Sequence, residues 1–149
     1  MWQKVNDSLF VFNGKETVAV MTTKKGRSVF KKVQQQREVY FLNQIHSDRV
    51  VDIDCERTTV GDGLVTSRRD IFIGLKVADC LPIYFIAKDR IGIVHAGWKG
   101  TLNKIALKML DKFDKKPVYF FGACIGPCCY SIDKDRYDLF KKDFPEEIF

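Results

Sequence analysis

The sequence predicts an α+β fold, a mixed β-sheet with helices packed on one face, in a single domain covering residues 1–149. Three observations predict it. The first two thirds of the 149 residues are β-branched and aromatic runs punctuated by Gly, Asn and Asp. Helical periodicity is confined to the last third. No internal repeat, low-complexity tract or linker divides the chain.

In chain order, strands are predicted at residues 9–12 and 17–22. The basic segment Lys24-Lys25-Gly26-Arg27, followed by Lys31-Lys32, reads as a mobile loop before strands at 38–42, 50–53, 63–66 and 71–77. Strands at 83–86 and 92–95 flank Lys88-Asp89-Arg90, the composition of a tight hairpin turn. Leu102, Ile105, Ala106, Met109, Leu110 and Phe113 recur at helical spacing, which predicts one helix over 99–113 that stops before Pro117. A strand at 118–121 and a shorter helix at 133–142 complete the reading.

Composition narrows the function classes. With 46% apolar and 30% charged residues, the chain is long enough to bury a core without staples. No apolar run approaches the roughly 18 residues of a membrane helix, and Met1-Trp2-Gln3-Lys4 opens no signal peptide. A cytoplasmic protein without membrane contact is expected. The net charge of +6 and pI near 9.1 favour anionic partners. Nucleic acid is not expected, because no helix-turn-helix or aromatic-basic stripe is present. The five Cys lie at irregular positions without a CxxC pair, as reduced thiols do.

Only two His occur, His46 and His95, and both fall at predicted strand ends. Cys80 occupies a third such end, after the apolar run 71–78. Three soft or borderline ligands on separate rigid elements, with loops leaving a coordination position open, are what a catalytic metal site requires. On residue type alone, a His at a strand end is more often a hydrogen-bonded structural residue, and a thiol after an apolar strand a small hydrophobe.

The segments NQIHSDRV, GDGLVTS, VADCLPIYF, IVHAGWKGT and ACIGPCCYSI together resemble the ordered signatures of the laccase-domain family, also called the polyphenol oxidase or purine nucleoside phosphorylase family. The resemblance implies zinc held by His46, Cys80 and His95, the same trio. It matches Asp62 to an acidic position before LVT, and Asp79 precedes the thiolate ligand. Both are candidate catalytic carboxylates, with an Asx turn and a surface charge as the plain alternatives. Gln44 is a candidate substrate contact. Lys24 and Arg27 stand in the family's Thr-Thr-Arg-x-Gly-Gly segment as candidate phosphate ligands, although Lys replaces the usual Arg fork. Trp98 suits either base stacking or core packing. For Cys124, Cys128 and Cys129 the expectation is buried or half-buried thiols.

The resemblance further implies phosphorolysis of purine nucleosides (adenosine, inosine, guanosine and methylthioadenosine) by inorganic phosphate, and adenosine deamination by zinc-bound hydroxide. An older association is copper-dependent phenol oxidation. A multicopper cluster needs more imidazoles than two, so a single copper on the same three ligands is what survives of it. A Cys-His hydrolase with Cys80 as nucleophile is the metal-free alternative. The chain resembles a shortened form of the family. Either a partner chain completes the pocket, as in a homo-oligomer, or the pocket is shallower.

Overall fold

A computed structural model describes residues 1–14 and 17–145, except the side chains of Arg27, Val29 and Gln36. Ten strands and four α-helices are assigned among them. Five strands form the central sheet, in the order β10 (Val118–Phe121), β8 (Leu81–Ile86), β9 (Ile91–Ala96), β6 (Gly63–Thr66) and β5 (Val50–Asp52). All its pairs are antiparallel except β5 with β6. The β8–β9 hairpin closes through the Ala87 N–H on the Arg90 carbonyl, 2.9 Å, at the turn the sequence predicts.

Alternation along these strands builds two cores. Val50, Val65, Ile83, Phe85 and Val94 face helix α3 (Ile105–Leu110), whose Ile105 and Met109 are wholly buried against them. Their neighbours Val51, Leu64, Ile93 and Tyr84 face the other way, beneath Leu42, Tyr40, Ile73 and Leu75. That period of two is the physical content of the strand prediction. Both faces are therefore covered, one by helices and the other by two small sheets. One of these is β1 (Gln3–Asn6), β2 (Leu9–Asn13) and β3 (Val18–Thr22); the other pairs β4 (Glu38–Phe41) in parallel with β7 (Ile71–Gly74). Trp2 and Phe12 pack the first onto Tyr84 and Phe120 of the central sheet, at ring-centroid distances of 4.2–5.7 Å.

Three expectations are corrected. The basic segment is helical: a 3-10 turn at Lys24–Gly26 leads into α1 (Arg27–Gln36). Gly26 approaches the backbone so closely that a Cβ would lie 2.5 Å from the Ser8 carbonyl oxygen, and Phe30 anchors the helix on Phe41, 5.5 Å away. The single helix over 99–113 is two, α2 (Trp98–Leu102) and α3. Lys104 between them is left-handed, φ 61°, after its N–H closes on Thr101. The apolar spacing survives this break because the chain re-enters helix with Ile105 inward. Finally, β1 was absent from the sequence reading, since its four residues are all exposed and carry no alternation to detect.

The shorter helix stands as α4 (Lys134–Asp143), capped by the Asp133 side chain, which accepts from the Arg136 N–H at 2.9 Å. No described helix is long and apolar enough to cross a membrane.

Candidate metal centre

The site grows from one carboxylate. Asp62 sits where the chain enters β6, wholly buried, and residues far from it in sequence bring it their donors. The successive N–H groups of Ile45, His46 and Ser47 donate to its two oxygens at 3.2, 3.0 and 2.6 Å, and the Ser47 hydroxyl donates at 2.7 Å. Three consecutive amides converging on an anion form a nest, and they hold His46 in the left-handed region, φ 58°, where a non-glycine residue costs on the order of 1 kcal/mol or more. His95, on β9, gives its own N–H to the Asp62 carbonyl at 2.7 Å. Its Nδ1 lies 2.9 Å from Asp62 Oδ1.

Burial alone would push the Asp62 carboxyl up, but the hydrogen bonds from His95, Ser47 and Ile45 outweigh it and hold the group below its ordinary value. An ionised acceptor fixes the proton of His95 on Nδ1 and leaves Nε2 as an outward lone pair, the arrangement a carboxylate imposes on a metal-binding imidazole.

Cys80 reaches the same point from the loop before β8. Its Sγ and one ring nitrogen from each of His46 and His95 all lie within 4.8 Å of one another. A tetrahedral ion at about 2.0–2.1 Å from nitrogen and 2.3 Å from sulfur spaces its donors by roughly 3.5 Å, so the trio fits a zinc-sized ion after small adjustment. Burial, with the Asp79 and Asp62 charges, pushes the Cys80 thiol up. A cation is the group that would reverse this.

Gly97 gives the trio room. A Cβ there would lie 3.2 Å from both Cys80 Sγ and His46 Cδ2, yet its φ of −74° and ψ of 172° suit any residue. Gly97→Ala is therefore expected to leave the melting temperature within about a degree while weakening zinc binding about tenfold, as disturbed ligand geometry does. Zinc titration against a chromogenic chelator checks both arms when paired with thermal unfolding.

The trio opens into a cleft of about 490 Å³ lined by Leu42, Asn43, Gln44, Lys76, Val77, Ala78 and Asp79. Gln44 is tied to Lys76 twice: its Nε2 donates to the Lys76 carbonyl at 2.9 Å and its Oε1 accepts from the Lys76 N–H at 2.8 Å. It thereby builds the wall. Lys76 is a cleft cation the sequence reading missed; only its place four residues before Cys80 could have marked it. Asp79 is exposed on the lip, and its carbonyl accepts from the Ile125 N–H at 2.9 Å.

Lys24 is placed elsewhere, in the wall of a larger cavity. The Arg27 side chain lies outside the described residues. Trp98 is half-buried, with Arg136 and Lys99 5.1 and 5.5 Å from its ring. Cys124, Cys128 and Cys129 are exposed rather than buried, because the turn at Gly126-Pro127 stands off the sheet. No second His, Cys, Asp or Glu cluster with this spacing accompanies the trio among the described residues.

Residues 2–148 match the family described as multi-copper polyphenol oxidoreductase laccase. The chain is 36% identical over 134 residues to a purine nucleoside phosphorylase of Borreliella burgdorferi, covering 80% of this chain and 58% of that protein. It is 31% identical over 123 residues to a purine nucleoside phosphorylase of Aquifex aeolicus, covering 78% and 60%. The chain thus spans less than two thirds of the length of these relatives. Among solved structures, a hypothetical protein YfiH of Bacillus licheniformis superposes with a TM-score of 0.84 at 25% identity, over 98% of this chain and 73% of that one.

Proposed function

The chain belongs to the family described as multi-copper polyphenol oxidoreductase laccase, and from that premise we propose that it is a zinc-dependent purine nucleoside phosphorylase. Its substrates are inorganic phosphate and adenosine, inosine, guanosine or methylthioadenosine, with adenosine deamination as a second activity. The observation that carries this reading is the convergence of His46, Cys80 and His95 within 4.8 Å at the floor of a cleft. Relatives named purine nucleoside phosphorylase support the substrate class.

A zinc ion on these ligands supplies Lewis acidity, polarising an oxygen of phosphate or water. The other roles fall to the chain. The cleft volume lies within the range of small-molecule sites. Lys76, whose backbone Gln44 holds on the cleft wall and whose ammonium rests 5.8 Å from the Phe41 ring centroid, is a cleft-lining cation within reach of the incoming phosphate, a point charge rather than a fork. Phosphate oxygen bonds to C1′ of the ribose as the glycosidic C–N bond breaks and the purine departs with the electron pair. Asp79, reaching water at the lip, passes a proton to the departing base. Asp62 holds no substrate in this scheme; it orients two ligands.

A second reading has its own support, since two imidazoles and a thiolate also suit a single copper ion. The two His of this chain cannot furnish a multicopper cluster. Cys80 as a free nucleophile is disfavoured by the upward push on its thiol, which lowers the thiolate fraction at neutral pH.

The test is elemental analysis of protein purified without added metal, then a nucleoside assay. One zinc per chain is expected, with release of hypoxanthine and ribose 1-phosphate from inosine that rises and saturates with phosphate. Adenosine without phosphate should yield inosine and ammonia if deamination accompanies it. Zinc-loaded protein that produces neither base nor ammonia would end the nucleoside reading, and copper with phenol turnover would replace it.

A further inference from the structure

The turn around Gly126-Pro127 carries sulfur that the metal centre does not use. Cys128 and Cys129 are both exposed, and their Sγ atoms lie 3.3 Å apart in an S–H···S contact. The backbone beneath them is fixed. The Gly126 carbonyl accepts from the Cys129 N–H at 3.0 Å and from the Tyr130 N–H at 3.2 Å. One residue before that glycine, the Ile125 N–H donates to the Asp79 carbonyl at 2.9 Å, which pins the turn to the loop carrying Cys80. Two thiols are thus presented to solvent side by side on an ordered support.

Geometry selects what the pair can hold. A disulfide asks for Cα atoms roughly 4.4–6.8 Å apart, whereas adjacent residues on a trans peptide stand about 3.8 Å apart. The backbone therefore opposes closure of the pair to a disulfide. Structural zinc is ill served as well, because it takes four ligands, and among the described residues no further His, Cys, Asp or Glu joins this pair in a group of three. At about 2.3 Å per bond to sulfur, tetrahedral directions space two donors by roughly 3.8 Å and perpendicular ones by roughly 3.3 Å. The observed 3.3 Å fits a centre whose bonds are close to perpendicular. Trivalent arsenic is such a centre, since its lone pair presses its three bonds into a pyramid, and its softness matches it to thiolate.

We propose that Cys128 and Cys129 form a chelating site for trivalent arsenicals, arsenite and its monosubstituted derivatives. An arsenoxide reacts there without an oxidant. Its As=O and two S–H groups are consumed, two As–S bonds form, and the oxygen leaves as one water with both thiol protons. The Cys128 thiol beside it pushes the Cys129 thiol up, so Cys129 enters as a thiol and brings its own proton to that water. The second sulfur reacts within the same molecule, at an effective concentration that a single thiol lacks.

The test treats the purified protein with one equivalent of phenylarsine oxide, adds a large excess of a monothiol, and reads intact mass and metal content. One arsenical per chain, bound with the loss of one water, is expected to survive the monothiol and to be stripped by a small dithiol. Both cysteines are exposed, so Cys128→Ser and Cys129→Ser should match the parent by circular dichroism. Each should release the arsenical at least a hundredfold faster, while Cys124→Ser retains it. Absence of an adduct that survives the monothiol, retention by either of the first two variants, or release from Cys124→Ser would overturn the proposal. So would metal released as the arsenical binds, which would move the chelation to Cys80, or a mass lower by two hydrogens in fresh protein that maps to a Cys128–Cys129 disulfide. Neither cysteine belongs to the trio, so this inference and the nucleoside reading fail independently.

Discussion

Purified Asp62→Asn protein is expected to lose zinc affinity by 10- to 100-fold and to unfold at a markedly lower temperature. The substitution is nearly isosteric, so the effect is electronic. The carboxylate accepts four donors from residues 45–47 and a fifth from His95. An amide replaces one acceptor oxygen by a donor, which then faces N–H groups in a buried place, and each unsatisfied group costs about 1–3 kcal/mol. The His95 proton loses its anionic partner, which loosens the tautomer that aims Nε2 at the metal. Because the folded Asp62 carboxyl is held below its ordinary value, the stability it contributes is complete above the unfolded carboxylate range. It fades as pH falls through the lower folded value. Asp62→Asn should lack that acid limb, so its melting temperature relative to wild type recovers at low pH. Thermal unfolding between pH 3 and 7 checks this; a constant gap between the two proteins would mean the residue acts only through shape.

Cys80→Ala is expected to abolish zinc retention and to reduce nucleoside turnover by at least a thousandfold while the chain stays folded. Two imidazoles alone hold zinc far more weakly than two imidazoles and a thiolate, since sulfur supplies the charge that neutralises the ion. The side chain is only half-buried at the cleft, so truncation leaves no closed void and the stability change should stay near 1 kcal/mol. Cys80→Ser keeps the volume and replaces sulfur by a poor ligand, and should behave like the alanine variant. Metal analysis of dialysed protein, with turnover measured at saturating phosphate, decides it. Full zinc content in either variant would remove the sulfur from the coordination set and with it the proposed centre.

How much of this was legible depends on what each signal encodes. The central sheet was readable because its strands are buried on two faces and alternate between two cores, as Leu64 and Val65 or Ile93 and Val94 show. The trio was readable because scarce residue types marked it: two His in the chain, and a Cys after an apolar strand. By contrast, α1 was hidden because its lysines and glutamines outnumber the apolar residues that seat it, and Gly26 imitates a loop. The break at Lys104 was hidden because apolar spacing reports which side chains turn inward, not the backbone angle between them. Asp62 was marked by its motif, but its work was not, since the donors come from residues 15–33 positions away in sequence and nothing local announces them. Lys24, singled out by a motif position, lines a cavity other than the cleft of the trio, a placement that linear spacing does not encode.

The nest around Asp62 closes entirely with groups of the polypeptide itself. One carboxylate thus fixes the ring of His95 and the backbone that carries His46. A change at this one carboxylate would therefore disturb both halves of the imidazole pair together, not singly.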